Sequence, residues 1–260
     1  MPGRRGGRRL KRWRYVGVFA EEFLLCAARV QVGALGQTFW VIWDREDREL
    51  HEHTRLRLPS ARGEVWEEEG VTHVMAGSDI RARLRIGEGQ SIEAVCPTPD
   101  GEYVWTRKRA DVPVECDVRA HGKRWRLEAP GMEDESAGYH SRHTVWSWSS
   151  GIGRLEDGRS VGWNLVSGIN DPPRRSERAI WVDGNPSEPD AVEFEDLDAI
   201  AFEDGSRLDF HAETERSRAE NKLLVRYTYR QPFGAFTGEM PGGLRLARGL
   251  GVMEHHDARW

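Results

Sequence analysis

Apolar residues in this chain recur at every second position and almost never at helical spacing. That alternation constrains the fold more than any other feature, because a period of two puts one face of an extended strand on a core and the other in water. β-Branched and aromatic runs at residues 16–19, 23–32 and 38–43 are divided by short breaks at 33–36 and 44–48. Further alternating runs follow at 81–86, 91–96, 102–107 and 112–119. Turn dipeptides punctuate the chain: Asp100-Gly101, His121-Gly122, Asp157-Gly158, Asp183-Gly184, Asp204-Gly205 and Gly242-Gly243. Each supplies the positive φ of a tight hairpin at little steric cost. The pattern predicts an all-β fold of antiparallel barrel or sandwich type. The best helical candidate is one short polar segment, residues 213–224.

A length of 260 residues suits one large domain or two smaller ones. The stretch 130–136 lacks strand periodicity and separates halves of similar strand content. The expected organisation is a basic arm over residues 1–14, an N-terminal β-lobe over 15–130 and a C-terminal β-lobe over 137–260. No window approaches the roughly 18 uninterrupted apolar residues of a membrane span, so no integral membrane segment is expected. The basic start has no apolar stretch and cleavage site after it, which argues against a secretory signal. Three cysteines, Cys26, Cys96 and Cys116, lack metal-ligand or CxxC spacing and fit buried, reduced thiols. A cytoplasmic protein is expected.

The arm carries Arg4, Arg5, Arg8, Arg9, Lys11, Arg12 and Arg14, while the chain as a whole has net charge −5. An acidic body argues against nucleic acid as a partner, since such binders spread positive charge over a folded face. A solvated terminus leading into a first strand is the simpler reading, with peripheral contact to an anionic surface as the alternative.

The second half holds the distinctive residues. If residues 139–148 are extended, His140, Arg142, Thr144, Trp146 and Trp148 share one face. Two large rings beside an imidazole and a guanidinium suit the wall of a ligand cavity; the same face could equally pack on a core. The following strand adds Asn164, which lies among Val161, Trp163 and Leu165 and must find partners if buried. Asn170 follows in a loop, where asparagine commonly satisfies turn backbone. Near the end, Glu254 and His255 point to opposite faces of a strand, and either could serve as an acid or base. The alternative is a polar strand end sealed by Trp260.

Several attractive patterns fail. Gly158-Arg159-Ser160-Val161-Gly162 matches a nucleophile elbow, but a hairpin turn precedes the serine and a strand follows. Gly151-Ile152-Gly153 opens onto no helix, so it is no dinucleotide cradle. His51-Glu52-His53 puts two imidazoles on one strand face without a third ligand, so no metal is expected. The acidic run from Asp183 to Glu220 lacks calcium-loop spacing and reads as a solvated face.

The string from Asp134 to Gly151, DESAGYHSRHTVWSWSSG, resembles the signature of the bacterial domain of unknown function 2804 family. So do Tyr103-Val104-Trp105-Thr106-Arg107-Lys108, Val161-Gly162-Trp163-Asn164-Leu165, Trp181-Val182-Asp183-Gly184, Gln231-Pro232-Phe233-Gly234 and Gly251-Val252-Met253-Glu254. These marks run in order from about Lys11 to Trp260. The resemblance implies no established activity. It implies a distant likeness to two-lobed, lipocalin-like proteins such as carotenoid hydratases, tocopherol cyclases and pericyclase-type cyclases, which act on greasy substrates without a redox cofactor.

The resulting expectation is two lipocalin-like β-lobes packed together around a hydrophobic small molecule, lipid or isoprenoid in kind. Trp146 and Trp148 would form the walls, and His140, Arg142 and Asn164 would orient a polar end. Any chemistry would be cofactor-free hydration, dehydration or cyclisation, with Asp183, Glu254 and His255 as proton-transfer candidates. The alternatives are a non-catalytic lipid carrier and a carbohydrate-binding sandwich. The last requires a tryptophan on an open face.

Overall fold

The computed structural model describes residues 1–57, 63–222 and 225–259. A small hairpin of β1 (Arg4–Arg5) and β2 (Arg8–Arg9) precedes the first lobe. That lobe contains β3 (Lys11–Phe19), β4 (Phe23–Val32), β5 (Leu35–Asp44), β6 (Glu49–Arg57), β7 (Val65–Glu68) and β8 (Val71–Ala76). It continues through β9 (Ile80–Ile86), β10 (Ile92–Pro97), β11 (Tyr103–Ala120) and β12 (Lys123–Gly138). The second lobe starts with β13 (His143–Leu155), β14 (Ser160–Ser167), β15 (Ala179–Val182), β16 (Asn185–Ser187) and β17 (Val192–Glu195). It ends with β18 (Ala199–Phe202), β19 (Arg207–Lys222), β20 (Val225–Met240) and β21 (Leu244–Arg259). The fold is all-β and two-lobed, and among the described residues there is no helix. No helix is therefore long and apolar enough to cross a membrane.

The two sheets repeat one topology. The first runs β6-β5-β4-β3-β12-β11-β9-β8-β7 with β10 on β11, and the second runs β16-β15-β14-β13-β21-β20-β19-β18-β17. In each, the first strand pairs with the last, and the sheet is split between the fourth and fifth strands of the lobe. Contacts of β7 with β4 and of β17 with β14 curl the sheets into half-barrels.

Three apolar layers result. Val16, Val18, Leu25, Trp40, Leu84 and Val114 fill the first lobe. Trp163, Leu165, Ile200, Phe210, Phe236 and Met253 fill the second. Between them, Phe19, Leu24, Val41, Met132, Trp148, Trp181, Phe233 and Val252 join the outer faces of both sheets. Strands at this junction are buried on both sides, which explains why β4 reads as an unbroken apolar run.

Bulges let single long strands serve two layers. In β11 the register shifts between Ala110 and Val112, and Asp111 adopts φ 58°. Before the bulge Lys108 and Ala110 face the other lobe; after it Val114, Cys116 and Val118 fill their own barrel. The alternation in sequence never breaks, because an extra residue flips the face. A second bulge in β19, between Ala212 and Thr214, moves Glu213 across to accept from the Trp43 indole at 2.9 Å and from Arg45. The lobes also touch where Gly162 meets Ala110 and Asp111, a gap that a Cβ would close to 2.9 Å.

Two expectations are corrected. Residues 213–222 of the helical candidate are strand, and 223–224 lie outside the described residues; Glu215 pairs with Arg230 of β20 and Arg216 with Glu52 of β6, so polarity did not signal a helix. Residues 130–136 are not a separator but part of β12, and the chain crosses between sheets at 139–142. Their acidic side chains hid the strand because ion pairs carry them inside: Glu133 meets Arg14 at 2.5 Å and Glu135 meets Arg107 at 2.8 Å. The basic arm is likewise partly internal. Lys11, Arg12 and Arg14 belong to β3, while Arg5 and Arg8 pair with Glu102 and Asp100.

The three cysteines are free and buried, and burial pushes each thiol up to about 12. Such thiols are poor nucleophiles at neutral pH. Ser160 follows the hairpin turn and donates to Asp111. His51 packs on His121, and His53 meets Glu64 at 2.7 Å.

Candidate functional site at the lobe junction

Strand pairing sets Trp148 opposite Glu254 and Trp146 opposite His256, all on the face of β13 and β21 that looks toward the first lobe. Glu254 is gripped at both oxygens. The Trp146 indole donates to Oε1 at 3.0 Å and the Gln231 amide to Oε2 at 2.6 Å. The His256 ring stacks on Trp146 at 4.1 Å, with its Nδ1 3.7 Å from Glu254 Oε1. Its Nε2 is buried without a hydrogen-bond partner among the described residues. A fixed carboxylate beside an imidazole with an open nitrogen is a Brønsted acid–base pair in waiting.

Arg216 ties this group to the first lobe. Only 2% exposed, it donates to Glu52 at 2.9 Å, Thr54 at 3.0 Å and the Tyr229 hydroxyl. Its guanidinium also lies over the Phe39 ring, 4.3 Å from the centroid. Burial pushes the Tyr229 phenol up to about 12, against the pull of Arg216. The phenol therefore stays neutral and, having accepted from Arg216, keeps its own O–H to donate.

Trp148 packs in the junction core beside this group. It is 6% exposed, meets Tyr15 edge-on at 5.4 Å, and donates to Asn164 Oδ1 at 2.9 Å. Asn164 in turn donates to the Glu177 carbonyl at 2.8 Å, so its amide fixes both the indole and the loop between β14 and β15. Asn164→Ala is expected to cost about 2 kcal/mol, because two buried polar groups lose their partner. The shift in urea midpoint at constant slope reads this directly.

The expected site residues thus divide. Trp146, Trp148, Glu254 and, through Trp148, Asn164 come together. His255 is exposed on the opposite face and meets Ser147 at 3.1 Å. Asp183 sits in the β15–β16 hairpin at φ 48° and accepts from the Ser160 amide; it is a turn residue away from the Glu254 group. Arg142 is exposed in the crossing segment. His140 belongs to a separate buried cluster: it stacks on Trp13 at 4.7 Å near Lys11, Lys108, Asp134 and Glu177. Asn170, at φ 51°, donates to Glu177 in the same cluster. Trp260 lies outside the described residues.

His256 escaped notice although alternation alone makes it the face partner of Glu254. Arg216 and Tyr229 carried no local signal, and Gln231 stood out only as part of a family string, since their meeting depends on how β19, β20 and β21 pair.

The strings that carry the family resemblance converge on this interlobe layer: Asp134, His140, Trp148, Asn164, Trp181, Gln231 and Glu254. A family profile described as domain of unknown function, DUF2804, matches residues 68–260. The chain belongs to the DUF2804 family. A search of curated protein sequences finds no match to this DUF2804 protein. Among solved structures it is similar to an AttH protein from Nitrosomonas europaea, with 12% identity, 97% of this chain and 94% of that chain covered, and a TM-score of 0.52. It is also similar to kievitone hydratase from Nectria haematococca, with 8% identity, 96% and 88% covered, and a TM-score of 0.53. At such identities the likeness is one of fold, and it extends over both lobes of the DUF2804 chain.

Proposed function

We propose that the lobe junction around Glu254 takes up an apolar small molecule, lipid or isoprenoid in kind, and that Glu254 and His256 perform cofactor-free hydration, dehydration or cyclisation on it. The observation that carries this reading is the Glu254 carboxylate, held by Trp146 and Gln231 against aromatic rings where the two lobes meet. In the proposed reaction, Glu254 or His256 takes a proton from carbon or water while the neutral Tyr229 hydroxyl donates to developing negative charge. The hydratase activity named for one protein of similar fold supports this reaction class by analogy. A sugar-binding face is less well supported, since Trp148 is buried and Trp146 half-buried.

The test is native mass spectrometry of the purified protein, then organic extraction and identification of what is released. An apolar molecule of defined mass is expected, and its close analogues form the substrate panel. Glu254→Gln should keep that ligand bound while lowering turnover by about 100-fold or more. Full turnover in this variant would remove Glu254 from the mechanism, and binding without turnover in the wild type would make the protein a carrier.

A further inference from the structure

Two buried polar atoms at the lobe junction have no hydrogen-bond partner among the described residues, His256 Nε2 and the Tyr15 hydroxyl. The first already belongs to the Glu254 group; the second comes from the opposite lobe. Tyr15 lies on β3 in one row with Ala28 of β4 and Phe39 of β5, and that face joins the junction core. Its ring meets Trp148 edge-on at 5.4 Å and Phe39 at 6.3 Å. Only 6% of the residue is exposed. The Cys26 thiol lies beside the hydroxyl, but sulfur is a weak acceptor. A buried hydroxyl in this position costs stability unless something completes it.

Burial, the Cys26 thiol and the Glu254 carboxylate raise the pKa of this phenol, against the pull of Arg216. The O–H therefore stays in place at neutral pH, ready to donate, and the charges of the second lobe act on it directly. Exposure around the group changes in one direction. Tyr15 and Trp148 are buried, whereas Phe39, Trp146, Tyr229 and His256 are half-buried. A molecule entering between the lobes here passes the half-buried rings first and meets Tyr15 last.

We infer, on the reading of the lobe junction as an apolar-ligand site, that Tyr15 donates its O–H to an oxygen of the ligand. The ligand is then an oxygenated apolar molecule, an alcohol or a carbonyl compound, which enters oxygen first and leaves its hydrocarbon tail against the half-buried rings. A plain hydrocarbon would leave the phenol unpaired, and a site that hydrogen-bonds an oxygen rejects the analogue that lacks it.

Tryptophan-fluorescence titration with geraniol, and with its deoxy hydrocarbon as the control, tests the assignment. The wild type should prefer the alcohol by about tenfold or more. Farnesol, with the same head and a longer tail, should bind at least as well as geraniol, because the tail points outward. Tyr15→Phe keeps the ring against Trp148 and removes only the hydroxyl. It should weaken geraniol about tenfold, leave the hydrocarbon unchanged, and keep or raise the melting temperature. An intact preference for the alcohol in Tyr15→Phe would overturn the inference and leave the apolar site standing. So would a melting temperature lowered by more than about 3 °C, since the phenol would then be bonded within the protein. Weaker binding of farnesol than of geraniol would overturn the oxygen-first entry. If neither probe bound the wild type, the apolar-ligand reading itself would fall, and the role of Tyr15 with it.

Discussion

Replacing Lys108 by methionine is expected to cost about 3–5 kcal/mol at neutral pH, the usual penalty for removing one partner of a buried ion pair. Lys108 is fully buried on β11 and joins two carboxylates: Asp134 of its own lobe at 2.5 Å and Glu177 of the other at 3.2 Å. Burial, moderated by Lys108 and reinforced by Asp134, raises the pKa of Glu177. The native state therefore holds a proton on this group more tightly than the unfolded chain does. Stability from that source is present below the unfolded pKa of 4.5 and is lost as pH rises through the folded value. Without Lys108 the two carboxylates repel more strongly, so the deficit should be larger at pH 7 than at pH 5. Because Glu177 reaches in from the second lobe, the variant should also unfold less cooperatively. Urea denaturation at both pH values is the measurement. Neutralising the pair as well, in Lys108→Met with Asp134→Asn and Glu177→Gln, should recover most of the loss. A single-variant deficit below about 1 kcal/mol would sink this account of how the lobes are clasped.

The second large effect concerns His140. It is 3% exposed, and burial, together with the charges of Lys11 and Lys108, lowers its pKa from 6.5 to about 3. The neutral ring is the folded form, so the sign is opposite to that of Glu177. Its contribution is intact above pH 6.5 and is lost as pH falls toward 3. At pH 4.5, two units below the ordinary imidazole value, the loss reaches about 3 kcal/mol at roughly 1.4 kcal/mol per unit. His140→Phe keeps a ring against Trp13 and has nothing to protonate. The variant should therefore lose about 3 kcal/mol less than the wild type between pH 7 and pH 4.5. Equal losses in the two proteins would show that His140 titrates normally.

How far the sequence reveals this molecule depends on whether a property is local. Period-two alternation, Asp-Gly turns and the absence of helical spacing state the all-β class and most strand positions outright, because each strand reports its own burial pattern. Alternation also places Trp146 and Trp148 on one face and separates Glu254 from His255. It fails where charge is carried inside. Residues 130–136 and 213–222 look like loop and helix because Glu133 and Arg216 are neutralised by partners more than a hundred positions away in sequence, which no local window contains. His140 and Asp183 illustrate the same limit from the other side. Both stand in strings typical of the family, yet one is a buried wedge near the Lys108 clasp and the other a turn residue.

The sequence by itself determined the strands, their turns and the faces on which apolar residues lie, since these follow from dihedral preference and nearest-neighbour spacing. Only the tertiary structure decided which faces meet. The bulges at Asp111 and Glu213 redirect β11 and β19 from barrel interior to lobe junction, and strand pairing across the second sheet assembles Glu254, His256, Gln231, Tyr229 and Arg216 into one site. Those contacts depend on register and on the docking of two curled sheets. Long-range packing sets both, and it leaves no periodic trace along the chain.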